Sequence, residues 1–203
     1  MSKRRYIRKP HEVIPPFPAD IDREKFANWL SGFTDGEGCF YAGIGTDCRS
    51  KRYHVPTVRF EIGLRHDDIA ILRLIRSYFG CGTIQFYERK KPISNKKPAA
   101  HLTIQRSSDL ISAIIPHFVA YPLRAKKARD FEIWRPIAVF TNKIMSAKRQ
   151  SLSIPKWSLA NLDLFRQMSA HLRANRNAPP NYPMPLPALA PQEHYGLFDV
   201  CDP

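Results

Sequence analysis

Residues 26–40 read FANWLSGFTDGEGCF, and no other stretch narrows the fold as much. Phe26, Trp29, Leu30 and Phe33 recur at helical spacing and Asp22 stands where an N-cap belongs, so the spacing predicts a short amphipathic helix with one apolar stripe. Gly32 and Gly36 lie four residues apart on one face, and each costs about 1 kcal/mol relative to alanine inside a helix. Close approach of a second helix offsets that cost, because backbones come near contact only where side chains are missing, as between small-residue pairs in membranes. The run closes on Asp35-Gly36-Glu37-Gly38 ahead of an aromatic, strand-like segment. Glu37 is therefore expected at an accessible helix-to-strand turn, where a carboxylate can bind a divalent cation.

Charge points to a polyanion. The 203 residues carry a formal net charge of +14, and no Lys or Arg follows Arg176, whereas Glu193, Asp199 and Asp202 do. Without those three, 15 of the 18 acidic residues stand against all 32 basic ones, so residues 1–176 carry +17. A body this basic favours nucleic acid through a salt-dependent field, a property shared with ribosomal and membrane-surface proteins. Cys39, Cys48, Cys81 and Cys201 are scattered, without a CxxC pair or matched histidine spacing, which argues against a zinc site or a disulfide framework and for buried thiols at Cys39 and Cys81. The sequence shows no signal peptide and no apolar run long enough to span a bilayer, so an intracellular setting is expected, in cytoplasm, nucleoid or organelle matrix.

Three regions are expected: a basic, proline-rich arm at 1–21, a folded domain at 22–175 and a proline-rich tail at 176–203. Strands are expected at about 38–46 and 53–65, then a helix after Asp67 and Asp68 as N-cap candidates, ending at Gly80-Cys81-Gly82. Strands at about 82–89 and 100–106 follow, joined by a loop with Lys90, Lys91, Lys96 and Lys97 suited to phosphate contact. Helices at Leu110–Val119, capped by Ser108 or Asp109, at about 127–146 and at Trp157–Leu172 complete an α+β pattern with an antiparallel sheet. In the second strand Val58, Phe60, Ile62 and Leu64 alternate with Thr57, Arg59, Glu61, Gly63 and Arg65, so one face is core and the other polar and charged. A ribbon of that kind can enter a DNA major groove.

The nine residues Leu30-Ser31-Gly32-Phe33-Thr34-Asp35-Gly36-Glu37-Gly38 resemble the signature of the LAGLIDADG homing endonucleases, with serine for the second-position alanine and glutamate for the last aspartate. The segments FEIGLRHDDIAIL, FGCGTI and PLRAKKARDFEIW are similar to that family's intervening regions, so the likeness covers about residues 24–146. Leu159 to Phe165 imitates the signature superficially, but it lacks the glycine and the acidic-Gly ending and is rejected as a second motif.

The resemblance implies an αββαββα core whose antiparallel sheet forms a DNA-binding saddle, and a homodimer joined through Gly32 and Gly36. It implies Mg²⁺ held by Glu37 and the Gly36 carbonyl, hydrolysis of both DNA strands at a long pseudo-palindromic site, and short 3′ overhangs. A basic residue is implied near the metals among Arg124, Lys126 and Lys127, with Lys126 chosen. The water-positioning role is unassigned, because Leu64 and Arg65 stand where some relatives have glutamine. Asp35 is expected to satisfy main-chain donors near the helix pair. Base contacts are expected from Tyr41, Arg59, Glu61, Arg65, Gln85, Tyr87, Arg89, His101, Thr103 and Gln105. The alternatives on the same fold are a maturase that binds intron RNA and a DNA-binding protein without catalysis.

Overall fold

The computed structural model describes residues 13–46, 54–87, 99–150 and 157–177. The basic residues of the arm, the loop at 47–53, the lysine loop with Arg89, and the tail beyond 177 lie outside them. Helix α1 (Arg23–Glu37) leads into β1 (Gly38–Thr46) and β2 (His54–Arg65). A 3-10 turn (His66–Asp68), α2 (Ile69–Phe79), β3 (Thr83–Tyr87) and β4 (Ala99–Ile104) follow. Next come α3 (Ser107–Asp109), a π-helical turn (Leu110–Ile114) and α4 (Ile115–Ala120), then α5 (Lys126–Gln150) and α6 (Leu159–Asn177). The four strands form one antiparallel sheet in the order β1-β2-β4-β3, the α+β architecture expected.

Strand alternation buries one face of the sheet: Phe40 and Ala42, Val58, Phe60 and Ile62, Ala100, Leu102 and Ile104 all point into the core. Phe40 sits at its centre, with ring centroids 5.3 Å from Phe60, 5.3 Å from Phe118, 5.4 Å from Phe131 and 5.2 Å from Trp134. Each such fully buried large side chain contributes about 1.5–3 kcal/mol, so this cluster holds the helices to the sheet. The Trp134 indole also donates to the Tyr41 carbonyl at 3.1 Å, fastening α5 to β1.

The caps explain where several helices start and stop. Asp22 accepts from the amides of Glu24 and Lys25, each at 3.0 Å, as expected of an N-cap. Gly80 ends α2 at φ +66°, a left-handed conformation that disfavours other residues, and donates its amide to the Arg76 carbonyl at 2.9 Å. Other caps differ from expectation. Asp68 stands at the N-cap of α2 without a side-chain cap bond, and Asp67 instead pairs with Arg65. Ser108 and Asp109 lie inside α3, whose N-cap is Arg106, and the Ser108 hydroxyl donates to Asp109 at 3.2 Å. At α6 the Ser158 hydroxyl accepts from the amide of Asn161 at 3.1 Å, which leaves Trp157 outside the helix, packed against Phe140 and Phe165.

Two expectations about the amino-terminal region change. The stripe on α1 divides: Phe26 and Leu30 are buried with Ala27, Ser31 and Thr34, whereas Trp29 is 44% exposed and stacks on Phe33 at 4.9 Å. The packed body also takes in part of the segment expected as an arm, since Phe17 and Ile21 lie against the core and the Phe17 ring contacts those of Phe26 and Tyr78.

Candidate active site and nucleic-acid interface

The foot of α1 is built by one short-range and four long-range hydrogen bonds. Helix α1 ends at Glu37 because β1 begins at Gly38, whose extended backbone returns its amide to the Thr34 carbonyl. A Cβ at Gly38 would come within 2.4 Å of the Thr34 methyl, so the turn closes only with glycine there. Glu37 is thereby left exposed at the helix end. Asp35 Oδ2 accepts from the amides of Arg124 at 2.8 Å and Ala125 at 3.1 Å, satisfying main-chain donors where α5 begins. Its other oxygen, Oδ1, is buried without a donor among the described residues, which adds negative potential at this spot.

The basic residue at the foot is Lys127. Its Nζ donates to the carbonyls of Asp35 at 3.1 Å and Gly36 at 3.2 Å. Lys126, the residue chosen from sequence, points elsewhere and donates to the Arg176 carbonyl at 2.7 Å, at the end of α6. One residue along a helix turns a side chain by roughly 100°, so these neighbours meet different partners. Arg124 is exposed and contributes its amide to Asp35.

Apart from Lys127, the polar groups of Asp35, Gly36 and Glu37 at this foot offer oxygen acceptors, the donor type that hard divalent cations take. The Gly36 carbonyl is already directed at a cationic group, and Glu37 stands beside it in sequence. No cluster of three or more His, Cys, Asp or Glu side chains that could hold a metal occurs among the described residues. The opposite face of α1 is open. Gly32 and Gly36 are exposed, and a Cβ on either would meet nothing within 4 Å. Trp29 and Phe33 border them at helical spacing, and the face they make has no partner helix among the described residues.

The second region is the polar face of the sheet. The Arg59 guanidinium lies 4.1 Å from the centre of the Tyr41 ring, and its Nε donates to Glu61 Oε2 at 2.7 Å. His101 Nδ1 lies 2.5 Å from Glu61 Oε1, its ring packs edge-on at 4.8 Å against Tyr87, and the Tyr87 hydroxyl donates to Gln85 Oε1 at 2.7 Å. The His101 hydrogen bond and the Arg59 charge hold the Glu61 carboxyl below its usual range in spite of burial, so it is an ionised acceptor and His101 Nδ1 is the donor. Thr103 lies in register with Glu61 and Thr83 on the same face.

Other expected contacts fall away from this group. Arg65 pairs with Asp67 at the end of β2, and Gln105 lies exposed beyond the end of β4. Sequence reasoning missed two glycines that shape the face. A Cβ at Gly43 would reach the Tyr41 hydroxyl at 2.7 Å, and one at Gly63 would reach the His101 ring at 3.0 to 3.3 Å. Both rings therefore pass close to strand glycines, and an isolated glycine in an alternating strand is the signal that marks such a close approach.

Behind the foot, the serine that departs from the signature has a partner. Ser31 Oγ donates to the Tyr121 carbonyl at 2.7 Å and lies 3.4 Å from His117 Nε2, while the Tyr78 hydroxyl lies 3.1 Å from His117 Nδ1. Burial, with the nearby Arg23 charge, lowers His117 to about 4, which keeps it neutral as this donor order requires. The half-buried Cys39 and Cys81 are free thiols, and burial pushes Cys81 up to about 11.

A single antiparallel sheet with a charged outer face, joined to a glycine-faced helix that ends on a carboxylate, defines the architecture of a homing endonuclease. The family model described as LAGLIDADG endonuclease matches residues 30–138, and the chain belongs to that family of DNA endonucleases. Among curated relatives, "Probable intron-encoded endonuclease 3" of Neurospora crassa is 32% identical over 106 residues, covering 52% of this chain and 18% of the relative. "Probable intron-encoded endonuclease aI3" of Dictyostelium citrinum is 32% identical over 107 residues, covering 53% of this chain and 36% of the relative. The chain thus spans well under half the length of these relatives.

Solved structures agree on the fold. I-SmaMI, a LAGLIDADG homing endonuclease bound to cleaved DNA, is 26% identical with a TM-score of 0.54, covering 74% of this chain and 44% of that one. The homing endonuclease I-TnaI is 25% identical with a TM-score of 0.50, covering 78% of this chain and 97% of that one. I-SmaMI has also been captured on uncleaved DNA in the presence of calcium ions. No helix among the described residues is long and apolar enough to cross a membrane.

Proposed function

We propose that this protein is a site-specific homing endonuclease that makes a double-strand break in duplex DNA, acting as a homodimer with Mg²⁺. The observation that carries this reading is the foot of α1, where Glu37 is exposed and the Gly36 carbonyl already holds the ammonium of Lys127 at 3.2 Å. Two such feet, brought together by the open faces at Gly32 and Gly36, supply two carboxylates and two carbonyls on a two-fold axis. Like charges that close oppose each other, and divalent cations relieve the repulsion. Glu37 and the Gly36 carbonyl would hold Mg²⁺, which when bound lowers the pKa of attacking water and stabilises the leaving oxygen of the phosphodiester.

The chain's own groups do the rest. Lys127 places a positive charge beside the scissile phosphate, where charge develops in the transition state, and Asp35 fixes the start of α5 so that Lys127 reaches this position. The sheet face presents Arg59, Glu61, His101, Tyr87 and Gln85 to the major groove, and two-fold symmetry in the protein calls for partial symmetry in the target. Residues 22–175 form the catalytic body in this reading.

The test is cleavage of a partly palindromic, randomised DNA library by purified protein with Mg²⁺, beside Glu37→Gln. Double-strand cutting with short 3′ overhangs by the wild type alone is the expected result. Binding without cutting by both proteins overturns the enzymatic reading and leaves intron RNA, or DNA held without catalysis, as the ligand to examine.

A further inference from the structure

The polar face of the sheet holds a connected strip of side chains that crosses all four strands. Tyr41 on β1 stacks under Arg59 on β2, and Arg59 binds Glu61 on the same strand. Glu61 binds His101 on β4, and the His101 ring meets Tyr87 on β3, which binds Gln85. Glu61 is the one acid in this row, and both of its oxygens are engaged, Oε2 by Arg59 and Oε1 by His101.

That position is unusual for a DNA-facing surface. A carboxylate exposed there would repel the phosphates and the electronegative edge of guanine. Glu61 does not act as an exposed charge, because two basic groups lie against it and its side chain is only 18% accessible. Its effect falls on its partners. Arg59 is held at Nε by Glu61 and across its guanidinium by the Tyr41 ring, contacts that leave its terminal nitrogens as the pair able to form a bidentate fork to guanine O6 and N7. His101 is held at Nδ1, which leaves Nε2 as its remaining ring nitrogen for a ligand, and the ring lies close against Gly63.

We propose that Glu61 is a positioning residue for sequence recognition: it contacts no base, and it sets base preference by holding Arg59 and His101 in fixed places. This rests on the reading of the protein as a site-specific DNA endonuclease and names the residue that organises its specificity. Fixing two long or rotatable side chains before binding removes part of their ordering cost and excludes other rotamers that would tolerate other bases.

The experiment measures base preference at every position of the best wild-type site, by competition binding with Ca²⁺ to prevent turnover, for wild type, Arg59→Met, His101→Asn, Glu61→Gln and Gly63→Ala. Glu61→Gln is expected to flatten preference roughly tenfold at the base pairs flattened by Arg59→Met and His101→Asn, and nowhere else. The Glu61→Gln/Arg59→Met double variant is expected to match Arg59→Met at its own base pair, because coupled residues are not additive. Gly63→Ala, which changes no charge, is expected to flatten only the His101 position, and it keeps the idea open to refutation if Glu61→Gln folds poorly. A Glu61→Gln change at a base pair that neither partner variant touches would mean that Glu61 reads a base itself, and it overturns the proposal. So does a uniform loss at all positions, or no change. A wild type that binds no duplex DNA overturns the endonuclease reading and this one together, whereas selective wild-type binding with an unaltered Glu61→Gln profile overturns this one alone.

Discussion

Asp35 at the foot of α1 accepts the amide of Ala125 at 3.1 Å, across 90 residues of sequence, and so joins the signature helix directly to the start of α5. The same carboxylate oxygen takes the Arg124 amide at 2.8 Å. Lys127 follows within the first turn of α5 and returns to the Asp35 and Gly36 carbonyls. The two helices therefore clasp each other through three donors from α5 and its cap, and the cationic one reaches the Gly36 carbonyl, one residue before Glu37.

Asp35→Ala removes the acceptor for two amides at a helix start, a loss of about 1–2 kcal/mol. Urea unfolding should show that loss as a lower midpoint with an unchanged slope. Single-turnover cleavage by the variant should also fall, even at temperatures where it is fully folded, because Lys127 loses its bearing.

Lys127 and Lys126 should separate cleanly. Lys127→Met is expected to lower the single-turnover cleavage rate about 100-fold, the scale of a missing charge or proton-transfer group at a reacting phosphate. Lys126→Met removes the bond to the Arg176 carbonyl and is expected to lower stability by about 1 kcal/mol, with cleavage reduced far less. Equal cleavage losses in the two variants would count against Lys127 as the catalytic choice.

Gly32→Leu tests the open face. Nothing lies within 4 Å of a Cβ there, and leucine favours helix by almost 1 kcal/mol over glycine, so the variant chain should fold at least as stably at concentrations where it is monomeric. Sedimentation velocity should show self-association weakened by an order of magnitude or more, since the substitution keeps two backbones apart. Undiminished association would place the dimer interface elsewhere.

His117 makes stability pH-dependent. Its folded-state value of about 4 lies below the ordinary 6.5, so between these values the unfolded chain binds the extra proton. The stabilisation is complete above pH 6.5 and is lost as pH falls to 4, up to about 3 kcal/mol from this one group. Urea midpoints at pH 7, 5.5 and 4.5 should fall in that order. His117→Gln, which cannot titrate, should start less stable at pH 7 and lose less on acidification.

Much of the architecture was legible because it rests on local pattern. Alternation in Val58-Arg59-Phe60-Glu61-Ile62 assigned both faces of β2, and the glycines at 80 and 82 marked the end of α2. The signature itself placed Gly32, Gly36 and Glu37 on an element with an open face. Phase errors were subtler. Trp29 and Phe33 share helical spacing with Phe26 and Leu30, yet they fall on the far edge of the stripe, where the neighbouring element decides burial.

By itself the sequence determined the order of helices and strands, the basic body, and the acid-ended helix with its two glycines, since each follows from residue periodicity, charge and backbone preference along a few adjacent positions. Only the tertiary structure decided which of two adjacent lysines reaches the Gly36 carbonyl, that Ser31 joins His117 and Tyr78 behind the site, and that Glu61 binds both Arg59 and His101. Those contacts join residues as far as 91 positions apart, and their directions depend on how α5 is rotated and how β2 registers on β4. Helix rotation and strand register are settled by the packing of the shared core, a property of the whole chain that no local pattern contains.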